Sequence, residues 1–240
     1  MSNLVQKQNA ETFEAVYEGG YDKKYPREDL VRLYHWYFNG TPGYTIDYGC
    51  GPGSNGFALL ESGCQMVFAD VSRTALKRVA EKLDARPDLK NHARIEQIAL
   101  DADKLNHPND SFDYVVCLSV LSNLATEERI LKMLTEFSRI LKPGGKMIVD
   151  INGPDSTYVH DGTRVDENVF ETAPRRGFDS DPVRMYFSQT KEQFAKLVDS
   201  APGIVVDDVG FSSFAYQDHD SYEFIVCAHK PGSEKEGKTA

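Results

Sequence analysis

The chain has 240 residues, with 27 Lys plus Arg against 37 Asp plus Glu and a formal charge of −10. At that length, with 40% hydrophobic residues, a core can form without disulfides or metals. The acidic balance weighs against nucleic acid as a partner. No run of about 18 apolar residues offers a membrane span, and the start Met1 to Lys7 has no apolar signal core, so a cytoplasmic protein is expected. Cys50, Cys64, Cys117 and Cys227 form no CxxC or Cys/His cluster, so they read as buried free thiols and no metal site is expected.

Residues 26–39 read as a helix opened by Pro26, with Leu30, Leu33, Tyr34, Tyr37 and Phe38 at three- and four-residue steps. Tyr44 to Tyr48 is a short strand that runs into glycines, 54–62 a helix and Gln65 to Ala69 a second strand. Ser72 caps a helix over 72–85, with Pro87 just beyond its end. Strands follow at 94–99 and from Phe112 to Leu118, the latter a continuous apolar run suited to burial on both faces. Thr126 caps a helix over 126–141 that Pro143-Gly144 closes, and Lys146 to Ile151 is a fifth strand. Residues 152–189 show no strong period. A helix at 190–199 and strands near 203–213 and 221–229 complete the chain, and 231–240 is a disordered polar tail. Alternating strands and helices predict a mainly parallel sheet. The last two strands have too short a connection for a helical crossover, so they pair antiparallel.

The most informative stretch is Thr45-Ile46-Asp47-Tyr48-Gly49-Cys50-Gly51-Pro52-Gly53-Ser54-Asn55-Gly56, a strand running through glycines into a helix. Glycines permit a tight turn and close approach of a ligand, and a helix start offers free N–H groups. Gly51, Gly53 and Gly56 fit the dinucleotide fingerprint G-x-G-x-x-G. Asp47 with Gly49, Gly51 and Gly53 fits (D/E)-x-G-x-G-x-G instead.

Further segments separate the two readings. Ile46 to Gly53, Phe68-Ala69-Asp70-Val71-Ser72, Leu100-Asp101-Ala102-Asp103-Lys104-Leu105 with Ser111 to Val116, and Leu141-Lys142-Pro143-Gly144-Gly145-Lys146 occur in order. Together they resemble the class I S-adenosyl-L-methionine (SAM) dependent methyltransferases, particularly the small ubiE-like, or type 11, set, over roughly residues 40–152. The segment after Asp101 departs from that pattern, reading Leu105-Asn106-His107-Pro108 where the family has Leu-Pro-Phe.

The resemblance implies an α/β, Rossmann-like doubly wound sheet of seven strands, mostly parallel with the last antiparallel. It implies a domain over 41–230, capped by an N-terminal helical lid over 1–40 and, on the acceptor side, by 152–189. SAM would be the cofactor and S-adenosylhomocysteine the product. Gly49, Cys50 and Gly51 would lie along its methionine part and Asp47 would face its ammonium. Asp70, with Val71, would take the ribose hydroxyls, and Asp101 and Ala102 the adenine. Leu118 and Ser119 would sit near the transferred methyl, and Tyr17 and Tyr25 would reach in from the N-terminal segment. His160 and Tyr21 are candidates for catalysis, which needs no dedicated residue when the acceptor is already nucleophilic. Asn123, His35 and Arg175-Arg176 are further candidates for the acceptor pocket. The acceptor is expected to be a small molecule and the protein a monomer or homodimer. An NAD-dependent oxidoreductase using Gly51, Gly53, Gly56 and Asp70, and a non-catalytic SAM-binding partner subunit, are the alternatives.

Overall fold

Capping and periodicity set the helices. In the computed structural model, which describes residues 2–100, 104–174, 180–216 and 219–232, the chain opens with helix α1, Ser2–Glu18. Helix α2, Glu28–Trp36, starts two residues after Pro26. Strand β1, Tyr44–Tyr48, leads through the glycine turn into α3, Ser54–Glu61, and β2, Gln65–Asp70, follows. The Ser72 side chain accepts from the Ala75 N–H and starts α4, Arg73–Asp84. Pro87 does more than stop that helix: it opens the short α5, Pro87–Lys90, as a proline at a first helical turn can. Then come β3, Ala93–Gln97, and β4, Phe112–Cys117.

A 3-10 turn, Leu121–Leu124, precedes α6, Glu127–Ile140, whose Thr126 cap accepts from the Arg129 N–H. Strand β5, Leu141–Asn152, begins at once, so Pro143-Gly144 lies inside the strand's first irregular turn, where the Gly144 N–H donates to the Lys230 carbonyl. Residues 152–189, aperiodic in sequence, contain α7, Thr157–His160, and strands β6, Thr163–Asp166, β7, Val169–Thr172, and β8, Val183–Tyr186, paired as a small antiparallel sheet. These strands are too short to print a period. Helix α8, Lys191–Asp199, β9, Val205–Tyr216, and β10, His219–His229, finish the fold.

The main sheet has the order β3-β2-β1-β4-β5-β10-β9. Every pairing from β3 to β5 is parallel, and β10 runs antiparallel to both β5 and β9. The last strand in sequence is thus the reversed one, inserted between β5 and β9, and the expected doubly wound α/β sheet is present. Two apolar layers cover it. On one face α6 and α8 bury Ile130, Leu134, Phe137, Phe194 and Val198. On the other α2, α3 and α4 bury Leu30, Tyr34, Leu59, Leu60, Leu76 and Val79. All four cysteines are buried and free. Among the described residues no helix is long and apolar enough to cross a membrane, and no group of His, Cys, Asp and Glu could hold a metal ion.

Candidate active site

In an open parallel sheet, ligands settle at the carboxyl ends of the strands, where the chain crosses over and backbone groups are unpaired. Here β1 ends in Gly49 and Gly51 at φ +69° and +52°, left-handed values that favour glycine. A Cβ on Gly49 would stand 2.2 Å from Val120 Cγ2, and one on Gly51 would stand 2.9 Å from the Tyr17 hydroxyl. Gly56 lets α3 press onto β2 and β1, since its Cβ would meet Phe68 at 2.4 Å and Asp47 Oδ2 at 2.9 Å. Asp47 is therefore sealed beneath the turn. Its Oδ2 has no hydrogen-bond partner, and burial lifts its carboxyl to about 7, with the Asp70 charge adding to the rise.

Asp70, at the end of β2, spans the turn. Its Oδ2 accepts from the Gly51 N–H at 2.7 Å and its Oδ1 from the Ser72 N–H at 2.8 Å. Burial raises its carboxyl, and these backbone donors partly offset the rise. Each oxygen keeps a lone pair for a further donor. Asp70 opens onto a cleft with about 1050 Å³ of empty space, counted to its solvent-open mouth. Gly49, Val71, Ile98, Ala99, Leu100 and Ser119 form its floor, and Gln6, Asn9, Phe13 and Tyr17 of α1 its roof. These α1 positions repeat at three- and four-residue steps, so one helix face covers the cleft. Asn9 fixes the roof: its amide donates to the Asn123 and Arg184 carbonyls and accepts from the Arg184 N–H.

Beyond Ser119 lies a charged cluster. Ser119 adopts φ +62°, strained for a residue with a side chain, and its N–H donates to Asp150 Oδ1 at 2.6 Å. Arg27, on the link between α1 and α2, pairs with the other oxygen of buried Asp150, with Asp29 and, at 3.7 Å, with Glu223. Its Nη1 also reaches Ser119 Oγ at 3.4 Å. One guanidinium thus faces three carboxylates. Burial lifts Glu223 to about 7, against the pull of Arg27. Burial also raises Asp150, whereas the Arg27 pairing outweighs burial at Asp29 and lowers its carboxyl.

Of the residues expected from sequence, Gly49, Asp70, Val71, Ser119 and Tyr17 meet at the cleft, as does Asn123. Gly51 adjoins Tyr17 at its edge. Asp47 and Cys50 are buried below the turn, with Cys50 Sγ on the Gly51 carbonyl, and Leu118 belongs to the core beneath α2 and α3. Tyr21 packs obliquely near Tyr17, with ring centroids 6.0 Å apart. Tyr25 is 78% exposed and lies outside the cleft lining, because the link containing it turns outward before Arg27 turns in. His160 is exposed on α7 and His35 packs by Gly40, neither in the lining. Asp101 and Ala102, the adenine candidates, and Arg175-Arg176 fall outside the described residues.

The sequence expectation of an N-terminal helical lid with Tyr17 did not name Gln6, Asn9 and Phe13, whose spacing with Tyr17 was the signal. It also missed the Arg27 cluster, for which no local pattern exists.

Residues 46–147 match the family model described as a methyltransferase domain. A demethylmenaquinone methyltransferase from Clavibacter sepedonicus is 31% identical over 156 residues, 65% of this chain and 52% of that protein. A SAM-dependent methyltransferase of Methanosarcina mazei superposes with a TM-score of 0.66 at 20% identity, covering 84% of this chain and 99% of the other. A Burkholderia thailandensis 1,6-didemethyltoxoflavin-N1-methyltransferase, solved with 1,6-didemethyltoxoflavin and S-adenosylhomocysteine, superposes with a TM-score of 0.69 at 14% identity, covering 94% and 88%. At these identities the two structures speak to the fold alone. The family match, the relatives and the Rossmann-like sheet together make this chain similar to the class I SAM-dependent methyltransferases. The chain spans 37%, 52% and 65% of the length of three curated relatives it matches.

Proposed function

We propose that the protein transfers a methyl group from SAM to a small-molecule acceptor. The observation that carries this reading is the convergence, under one face of α1, of Gly49, Asp70, Val71, Ile98 to Leu100 and Ser119 from the ends of four adjacent strands. The residues suit the cofactor chemically. A turn that any Cβ would fill can lie along a methionine chain, two carboxylate oxygens with spare lone pairs can accept from a ribose diol, and Val71, Ile98 and Leu100 offer apolar walls for adenine. Asp101 and Ala102 remain our candidates for its polar edge.

Bound SAM supplies a methyl already activated on a sulfonium. The chain's own contribution is alignment and exclusion of water. Gly49 and Ser119 bracket the turn nearest the reacting end, Asp150 holds the strained Ser119 backbone, and α1 covers the cleft. Residues 1–40 act as the cofactor-side lid and 152–189 as the acceptor-side cap. A small acceptor is favoured over nucleic acid by the cleft's α1 roof and the net charge of −10.

Calorimetric titration with SAM, S-adenosylhomocysteine and NAD tests the reading. We expect the first two to bind and NAD not to. Binding of NAD alone would move the assignment to the oxidoreductase. Tight SAM binding with no turnover over a broad acceptor panel would favour a non-catalytic partner subunit.

A further inference from the structure

Strand β9 closes one side of the main sheet and, among the described residues, has β10 as its only partner strand there. The backbone parity of its outer edge can be fixed. The Gly153 N–H donates to the Tyr222 carbonyl and the Lys230 N–H to the Gly145 carbonyl, so even-numbered β10 residues turn their polar groups toward β5. Odd-numbered ones, including Glu223 and Ile225, therefore bond β9, at Ser212 and Gly210. The N–H groups of Val209, Phe211 and Ser213 consequently point away from the sheet.

The two halves of this edge differ. In the first half the outward N–H of Val206 is met by Asp199 at 3.4 Å and that of Val209 by Asp208 at 2.8 Å, and the register shifts between Cys227 and Ala228. Acidic caps and a bulge are how an edge is protected from pairing. Among the described residues the second half shows neither. Instead it presents Phe211 and Phe214, 61% and 59% exposed. It also holds Gly210, where a Cβ would meet nothing within 4 Å and whose φ is not positive. A strand-interior glycine costs stability, and nothing among the described residues calls for this one. Such a glycine marks a place where another chain comes close.

We propose that a second copy of this chain pairs with the outer edge of β9, antiparallel, about a twofold axis at Ser212. This register sets Phe211 opposite Ser213, so the outward N–H and C=O groups of both residues exchange hydrogen bonds with the partner. It lays the ring of Phe214 across the bare backbone of the partner's Gly210, an aromatic over a cross-strand glycine. It also carries Asp207 and Asp208 to the ends of the ladder. A twofold at Asp208 would instead set like charges face to face, at a cost. The occupant is therefore selected by charge and shape: the same segment, inverted.

The test is symmetric cross-linking. Residue 212 lies on the twofold at a non-hydrogen-bonded pair, where Cα atoms come within about 4.5 Å, inside disulfide range. Under mild oxidation of the full chain, Ser212→Cys should give a covalent dimer and Gly210→Cys should not. The four native cysteines are buried and contribute no background. Sedimentation velocity should show a dimer for the unaltered protein and a monomer, with unchanged circular dichroism, for Phe214→Glu. A monomer for the unaltered protein at about 100 μM and ~0.15 M salt, where its net charge is screened, overturns the proposal. So does cross-linking through Gly210→Cys and not through Ser212→Cys.

Discussion

The glycine turn and the charged cluster beyond Ser119 are built in opposite ways. In the turn, Asp47 to Gly56 is one continuous segment, and its shape follows from glycines in left-handed conformation and a carboxylate, Asp70, bonded to two backbone N–H groups. In the cluster, Arg27, Asp29, Ser119, Asp150 and Glu223 come from separate stretches and hold one another by charge and hydrogen bonds. A local turn survives small errors elsewhere in the fold. A buried charge cluster exists only when every segment has arrived, and it fails when one partner is removed.

Removing Arg27 should therefore have the largest effect. Arg27→Leu leaves Asp150 buried beside Asp29 and Glu223 without a cation, and breaking such a pair costs about 3–5 kcal/mol. Urea unfolding measures this loss, and a change within 0.5 kcal/mol would show that the cluster does not hold the α1–α2 link. Asp70→Ala comes next. It removes the acceptor of the Gly51 and Ser72 N–H groups and, in our reading, of the ribose diol. Hydrogen bonds to a charged group contribute about 1.5–3 kcal/mol each, so SAM affinity should fall roughly a hundredfold or more by calorimetry. Unchanged affinity would remove Asp70 from the site.

Glu223 sharpens the comparison through pH. Its carboxyl is pushed up to about 7 from an ordinary 4.5, so it is harder to ionise folded than unfolded. Such a group costs no stability below pH 4.5. The cost appears as pH rises above that value and stops growing above about 7. Asp47, also lifted to about 7, shares the window. Between pH 4.5 and 7 the protein should lose stability, and Glu223→Gln should flatten that loss without abolishing it. A variant with the same slope as the parent would place the ionisation elsewhere.

The same contrast explains what the sequence conveyed. Strand–helix alternation, the Ser72 and Thr126 caps and the glycine turn are local signals, and the elements they mark lie within a few residues of their expected places. Asp70 was legible for the same reason, as an acid ending the strand after the turn. The β6–β8 sheet was not, because four-residue strands carry too little pattern. Tyr25 was drawn in by its neighbours Tyr17 and Tyr21, yet it points to solvent, and the residue that turns inward is Arg27, two positions on. No spacing links 27, 150 and 223, so only the assembled sheet brings them together.

The smallest predicted effect concerns the α1 roof. Asn9 is buried in α1 and satisfies three backbone groups, at Asn123 and at both the N–H and C=O of Arg184. Asn123 lines the cleft just after Ser119, and Arg184 lies in β8. Asn9 thus ties α1 to the small β6–β8 sheet without belonging to the glycine turn or the charged cluster. Asn9→Ala should cost about 1–3 kcal/mol, because groups held by one amide lose their partner. Much of that loss should appear as local opening of α1 rather than global unfolding, since a single covering helix detaches at less cost than the sheet. Hydrogen exchange in Gln6 to Tyr17 should quicken while β1 and β4 stay protected, and SAM should dissociate faster with little change in its association rate. Equal quickening in β4 would show that Asn9 supports the sheet itself, and the roof would then be a fixed wall rather than a lid.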